Sequence, residues 1–313
     1  MGLDTNGTRA LLWLRKNGAS LDRVACLGRQ MINAGPASLA NAFRDFGIAD
    51  DNVTKFAKCY CEGMLHFLGA KEIRSFDASD YEQATDIHDF NLALEGKYRD
   101  YFDIVIDGGT LEHIFNIQIA FANAMQMIRP GGLYLGLTPT NNFCGHGFYQ
   151  FSPEFYFRVF TSDNGFQIEH VVAFEDIPEA PWFRVTDPDT INERVILCNS
   201  MPTYLIVVAR KLESKDRYFA IVPQQSDYVA TWSRKSATPS AVAPSCASQD
   251  DSSRIRALIR LLAPKALRRY YGEIQGRRAS ERFRREQEEA IKLQSPMHRI
   301  TKFFTPFDPR EQS

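Results

Sequence analysis

Short apolar runs that end in glycine or aspartate alternate, through residue 212, with stretches whose apolar positions recur at helical spacing. Residues 23–28 are such a run: Val24, Ala25, Cys26 and Leu27 close on Gly28, the form of a buried parallel strand handing over to a loop. Over residues 36–69 the period changes. Leu39, Ala42, Phe43 and Phe46 share one helical face and Phe56, Cys59, Tyr60 and Met64 another, so two helices are expected. A second strand is expected at 72–76, ended by Asp77, a short third near 85–88, ended by Asp89, and a fourth at 102–106. Residues 117–128 carry Ala120, Phe121, Ala124 and Met125 at helical spacing. Arg129-Pro130-Gly131-Gly132 should stop that helix before a fifth strand at 133–137, and two more strands follow at 166–174 and 204–209. Repeated strand and helix units of this kind define an α/β protein with a doubly wound, mostly parallel sheet and helices on both faces.

Beyond residue 212 the pattern breaks. Residues 213–253 are read as a flexible linker, because 224–253 are rich in Ser, Ala, Thr, Pro and Asp and hold too little apolar content to offset the ordering entropy. Residues 254–313 are read as a basic helical tail, with Ile255, Leu258, Ile259 and Leu262 in one amphipathic stripe and Leu267, Tyr270, Tyr271 and Ile274 in the next. The body, residues 1–212, is then one domain.

Charge follows the same division. The formal net charge is −1, yet residues 251–313 carry 15 Lys and Arg against 8 Asp and Glu, which leaves 22 basic against 30 acidic residues in the rest. An acidic body with a basic arm points to an anionic surface, to a second copy of the chain, or to the body itself as the arm's partner. Residues 254–292 are thus candidates for peripheral membrane contact or homo-oligomer contact. Nucleic acid ranks last, since no recognised binding module accompanies the charge.

The chain of 313 residues is 44% hydrophobic with 23 Phe and 12 Tyr, which excludes wholesale disorder. No apolar stretch approaches the roughly 18 to 20 residues that span a bilayer, and the first 16 residues lack the charged-then-apolar order of a leader. A cytoplasmic location is expected, at the inner face of a membrane if the basic helices dock on anionic headgroups. The six cysteines show no finger-like spacing, so neither a disulfide framework nor a structural metal is expected.

In an open parallel sheet, ligands bind outside the carboxyl ends of the strands. Those ends are Gly28, Asp77, Asp89, Asp107-Gly108-Gly109 and Thr138-Pro139. An acid ending the second strand is placed to accept both hydrogen bonds of a ribose diol, which makes Asp77 a candidate; a helix cap demands the same residue type.

The run Phe102-Asp103-Ile104-Val105-Ile106-Asp107, then Leu111-Glu112-His113, then Ile128-Arg129-Pro130-Gly131-Gly132, resembles the class I S-adenosylmethionine-dependent methyltransferases. Pro139, Gly145-His146, Phe151-Ser152-Pro153 and Gly165-Phe166 are similar to the small-molecule and glycan branch of that superfamily, and the likeness covers about residues 20–212. The resemblance implies S-adenosylmethionine as cofactor, held by Gly28, Asp77, Asp107, Gly108 and Gly109, with Asp89 accepting from the adenine amine and Phe90 packing on its ring. Of the family's Gly-x-Gly loop only Gly28 carries over, so Arg29 or Gln30 would substitute a side-chain contact to the methionine carboxylate.

Methyl transfer to a hydroxyl benefits from a base, and histidine is suited to it near neutral pH. His146, between Gly145 and Gly147 after the fifth strand, is the first candidate, against the alternative of a histidine that bonds its own loop; His113 is the second. Glu112 would orient either. Asn142, Tyr149 and Gln150 offer a polar, aromatic edge for an acceptor such as a sugar. The expected activity is O-methylation of a small molecule or glycan. The alternative is a non-catalytic scaffold that acts through the basic tail.

Overall fold

The computed structural model describes residues 2–191, 194–236 and 303–311. They form two compact units, of which the larger holds residues 2–191, 194–197, 201–229 and 303–311 and carries everything below. It opens with β1 (Gly2–Leu3) and α1 (Thr5–Lys16). The first half of the sheet follows: β2 (Arg23–Leu27), β3 (Met31–Ile32), α2 (Pro36–Asp45), α3 (Glu62–Phe67), β4 (Glu72–Asp77), β5 (Asp86–Ile87) and β6 (Phe102–Gly108). The second half comprises α4 (Ile117–Met127), β7 (Ile128–Asn141), α5 (Pro153–Val159), β8 (Phe166–Glu175), β9 (Trp182–Val185), α6 (Pro188–Ile191), β10 (Thr203–Lys211) and β11 (Phe304–Phe307).

Nine of these strands form one sheet in the order β11-β9-β8-β10-β7-β6-β2-β4-β5. From β5 to β7 all neighbours are parallel, and from β7 to β11 all are antiparallel, so seven of the nine strands point the same way. The parallel half has the 3-2-1-4-5 order of a Rossmann-like sheet, and its order reverses between β2 and β6, where Leu27 lies opposite Asp107. The expected doubly wound, mostly parallel α/β fold is what the chain adopts.

Alternation along the central strands shows why helices cover both faces. Val24, Cys26, Ile104 and Ile106 join the core beneath α1, α2 and α3 with Leu11, Phe43 and Met64, while Ala25 and Val105 face the opposite core with Phe121 of α4 and Tyr156 of α5. Every residue of β6 is buried. At the amino end of the sheet Asp103 accepts from Arg129 Nε (2.6 Å) and Arg23 N (2.8 Å), which fixes β2, β6 and β7 in register away from the site.

Four expectations change. The strand near 85–88 is only Asp86–Ile87, because the short link from β4 has no room for a covering helix. Residues 129–132 do not precede the fifth strand but lie within β7, since Ile128 already pairs with Phe102. The segment from 213 is not linker throughout, because Tyr218 and Phe219 are buried in the second core and a helix spans Ser226–Ser236. Phe304–Phe307, expected in the tail, pairs as β11 with β9. The remaining linker residues and the amphipathic helices expected at 254–292 lie outside the described residues. Among the described residues no helix is long and apolar enough to cross a membrane.

Candidate active site

The end of β6 turns on Asp107. Its fully buried carboxylate accepts from Thr110 N (2.9 Å), Leu111 N (3.3 Å) and Tyr134 Oη (2.9 Å), and burial pushes its pKa up to about 6 despite those bonds. Gly109, at φ +86°, lets the chain bend into a single 3₁₀ turn, Leu111–His113, that presents Glu112 and His113 together.

The loop after β7 brings the third group. Phe148 N and Tyr149 N both donate to Glu112 O, at 2.8 and 3.2 Å. Gly147, at φ +70°, makes this approach possible: a Cβ there would lie 2.8 Å from the same oxygen. The preceding residue, His146, is thereby set above Glu112 with Nε2 3.4 Å from Oε1, and its ring meets that of His113 edge to face at 4.9 Å. The ligand atoms of Glu112, His113 and His146 lie within 4.8 Å of one another.

Glu112 is fully buried, and neither carboxylate oxygen makes a hydrogen bond, the contact to His146 being too poorly aligned. Burial first, and then the neighbouring Asp107, push its carboxyl up to about 8. Burial and the adjacent His146 hold the His113 imidazole below its ordinary value. All three residues line a cavity of about 370 Å³, together with Gly108 and Gly109. Asp4, Asp176 and Tyr204 also lie on its wall.

Donor-side candidates fare unequally. Gly28 takes φ +71° and its N–H donates to Phe76 O (2.7 Å); Asp77, half-buried at the end of β4, accepts from His88 N through its carbonyl (2.8 Å), and among the described residues its carboxylate accepts only from Ser79 N, at 3.4 Å. Arg29 is engaged by the protein: it pairs with Glu62 (2.7 Å), donates to Glu82 O (2.9 Å) and lies over the Tyr60 ring. Gln30 is fully buried, with Nε2 bonded to Leu27 O and near Thr110 Oγ1 (3.3 Å) and Oε1 against Gly108. The acid expected at adenine, Asp89, instead closes a turn by accepting from Asn91 N and Nδ2, at 2.9 and 2.8 Å. Phe90 presents no face to a ring, being core-buried against Phe76 and His88. Asp107 is fully buried and bonded within the turn.

The acceptor candidates hold their own loop. Asn142 Nδ2 donates to Met201 O (2.9 Å), Tyr149 Oη to Phe115 O (2.7 Å), and Gln150 Oε1 accepts from Phe143 N (3.1 Å). Gln150 lines a second cavity of about 190 Å³ and none of the three lines the first. Sequence reasoning passed over Asp4, whose Oδ1 caps α1 through Gly7 N (2.7 Å). The signal was Asp4-Thr5-Asn6-Gly7 ahead of an apolar helical run. Asp176 and Tyr204 come from the ends of β8 and β10, where the sheet order could not be read in advance.

No family model matches the chain, and no curated protein matches it. Among solved structures it is similar to a Burkholderia thailandensis 1,6-didemethyltoxoflavin N1-methyltransferase with bound S-adenosylhomocysteine (12% identity, 67% of this chain and 78% of that one, TM-score 0.38). It is also similar to a Bradyrhizobium japonicum N-methyltransferase with S-adenosylhomocysteine (12%, 66% and 87%, TM-score 0.36). A third is a Thermus thermophilus branched-chain polyamine synthase with 5'-methylthioadenosine (14%, 70% and 59%, TM-score 0.37). Likenesses this distant assign nothing to the site, whose chemistry has to come from its own side chains.

Proposed function

We propose that the protein is an S-adenosylmethionine-dependent methyltransferase that methylates a hydroxyl of a small molecule or glycan in the cytoplasm. The observation that carries this reading is the cavity of about 370 Å³ at the carboxyl end of β6, with Glu112, His113 and His146 on its wall. Gly28, Asp77, Gly108 and Gly109 are the residues that would hold the donor. The fit is supported by Asp77, whose carboxylate is almost without donors at the end of β4, where a ribose diol would need an acceptor. Once bound, the donor supplies a methyl carbon on a sulfonium, which becomes a neutral thioether as the acceptor oxygen takes the methyl group. The cavity's walls orient that oxygen and limit water. Its activation falls to the cluster, in which His146, 41% exposed, faces the cavity as the expected base with Glu112 behind it.

Calorimetry with S-adenosylhomocysteine tests the reading. Saturable binding is expected, weakened about tenfold, or about 1.4 kcal/mol, by Asp77→Ala. Undetectable binding to the folded wild-type chain would remove it. A second reading, a binding module without turnover, is favoured by one observation: Gln30 places a buried side chain against Gly108, where the resemblance leads one to expect a second glycine. Methyl transfer from labelled donor into a cell extract separates the two.

A further inference from the structure

We propose that Glu112, His113 and His146 form a binding site for one divalent first-row transition-metal ion. Two imidazoles and one carboxylate are a donor set suited to zinc, manganese, iron or cobalt and poorly suited to magnesium, which selects oxygen. Ligand atoms about 2.0 to 2.2 Å from a shared centre stand no more than about 4.4 Å apart. The three here already lie within 4.8 Å, so closure on an ion needs only small side-chain adjustments. Among the described residues they are the one group of this kind.

Satisfaction of polar groups points the same way. Glu112 is fully buried beside the cavity with neither oxygen hydrogen-bonded, an uncommon state for a buried polar group and one that a bound partner would explain. His146 and His113 meet edge to face, and among the described residues no Lys or Arg pairs with the acid. A cation between the three supplies what is missing. Both supports are tied down: Asp107 pins the turn carrying Glu112 and His113, and the bonds from Phe148 N and Tyr149 N to Glu112 O hold the loop that carries His146. Three protein ligands beside an open cavity leave a coordination position for an outside oxygen, as in catalytic metal sites.

Coordination at that position would lower the pKa of a hydroxyl enough for its proton to pass to solvent through the open cavity before the oxygen takes the methyl group, and His146 would then be a ligand instead of the free base. This use rests on the transferase reading; binding of the ion does not.

The test is calorimetric titration of the chelator-treated full chain with Zn²⁺, Co²⁺ and Mg²⁺, with no methyl donor present. One Zn²⁺ or Co²⁺ per chain is expected, with affinity at least about tenfold lower in both Glu112→Gln and His146→Ala. Thermal melts confirm folding, and His146, on a half-exposed loop, gives a variant that keeps the core intact. Cys144→Ala, which removes the neighbouring exposed thiol, should bind as wild type. Absence of saturable Zn²⁺ and Co²⁺ binding, unchanged affinity in both site variants, loss in Cys144→Ala, or tighter Mg²⁺ than Zn²⁺ would each overturn the site. Metal binding without S-adenosylhomocysteine binding supports the ion site and sinks only the transferase reading; the reverse result sinks the ion site alone.

Discussion

The two sides of the sheet's switch point carry similar polar residues in opposite states. On the side of β2, β4 and β5 several polar groups satisfy one another: Arg29 with Glu62, Gln30 Nε2 with Leu27 and Thr110, Asp89 with Asn91, while Gln30 Oε1 has no partner. Beyond β6 the reverse holds, with a buried carboxylate whose oxygens have no donor and two histidines pressed together beside a cavity. Buried polar groups are nearly always paired, so the unpaired cluster marks where a ligand is expected, while on the rim the nearly donor-free Asp77 carboxylate stands out against neighbours that pair with the chain itself.

The sharpest test of this contrast compares two aspartates that end strands. Asp107→Ala strands Thr110 N, Leu111 N and Tyr134 Oη in the interior and should cost about 3 to 4 kcal/mol. Asp89→Ala, on an exposed turn, should cost less than about 0.5 kcal/mol. Urea denaturation measures both, and similar losses would break the distinction. Next in size, Glu112→Gln should lower methyl transfer at least about a hundredfold, or about 2.7 kcal/mol, without lowering the melting temperature. A variant that melts much lower and still turns over would mean that Glu112 is structural.

Unpaired burial alone does not make a site, and His170 shows the limit. Its Nδ1 is also without a partner, but the ring packs against Trp13 and Phe307 and lines neither cavity described above. Burial, then Arg184, lower its pKa to about 4. The unfolded chain therefore takes up a proton at this residue as pH falls through about 6.5, while the folded chain does not until about 4, so stability is lost on acidification across that window. Discounted for partial exposure, the loss is at most about 2 kcal/mol. His170→Phe should shrink the difference in stability between pH 6.5 and pH 4 and leave transfer unchanged. An unaltered pH profile would show that the histidine titrates alike in both states.

Much of this was legible from periodicity. The strands of the parallel half and α4 were placed because strand and helix periods are local signals, whereas Glu112 and His113 were singled out by the resemblance and His146 by its glycine-flanked place after the fifth strand. What escaped was long-range. The four residues of β11 pair with β9 about 120 positions away, with Pro306 tolerated because β11 is an edge strand. Whether Gln30 reaches a ligand or turns inward depends on Leu27 and Thr110, which meet it only once β2 and β6 are adjacent. Phe90 shows the same limit, since an aromatic beside an acid reads equally well as a platform or as core until Phe76 is seen beneath it.

Arg29 provides the smallest effect and the most direct probe of the donor side. Its guanidinium pairs with Glu62 at 2.7 Å and lies 4.0 Å from the Tyr60 ring centroid, both partners on the same face of the loop after β2. If the rim is self-satisfied, Arg29→Ala removes a partly exposed ion pair and a ring contact and should cost about 1 kcal/mol or less in stability. Affinity for S-adenosylhomocysteine should then stay within about twofold of wild type, well under 1 kcal/mol. A drop of about tenfold would instead mean that Arg29 leaves Glu62 for the donor's carboxylate, and the rim would then be poised for a ligand in the way the cluster is. Glu62→Gln separates the cases further: release of Arg29 should tighten donor binding in the second and leave it unchanged in the first.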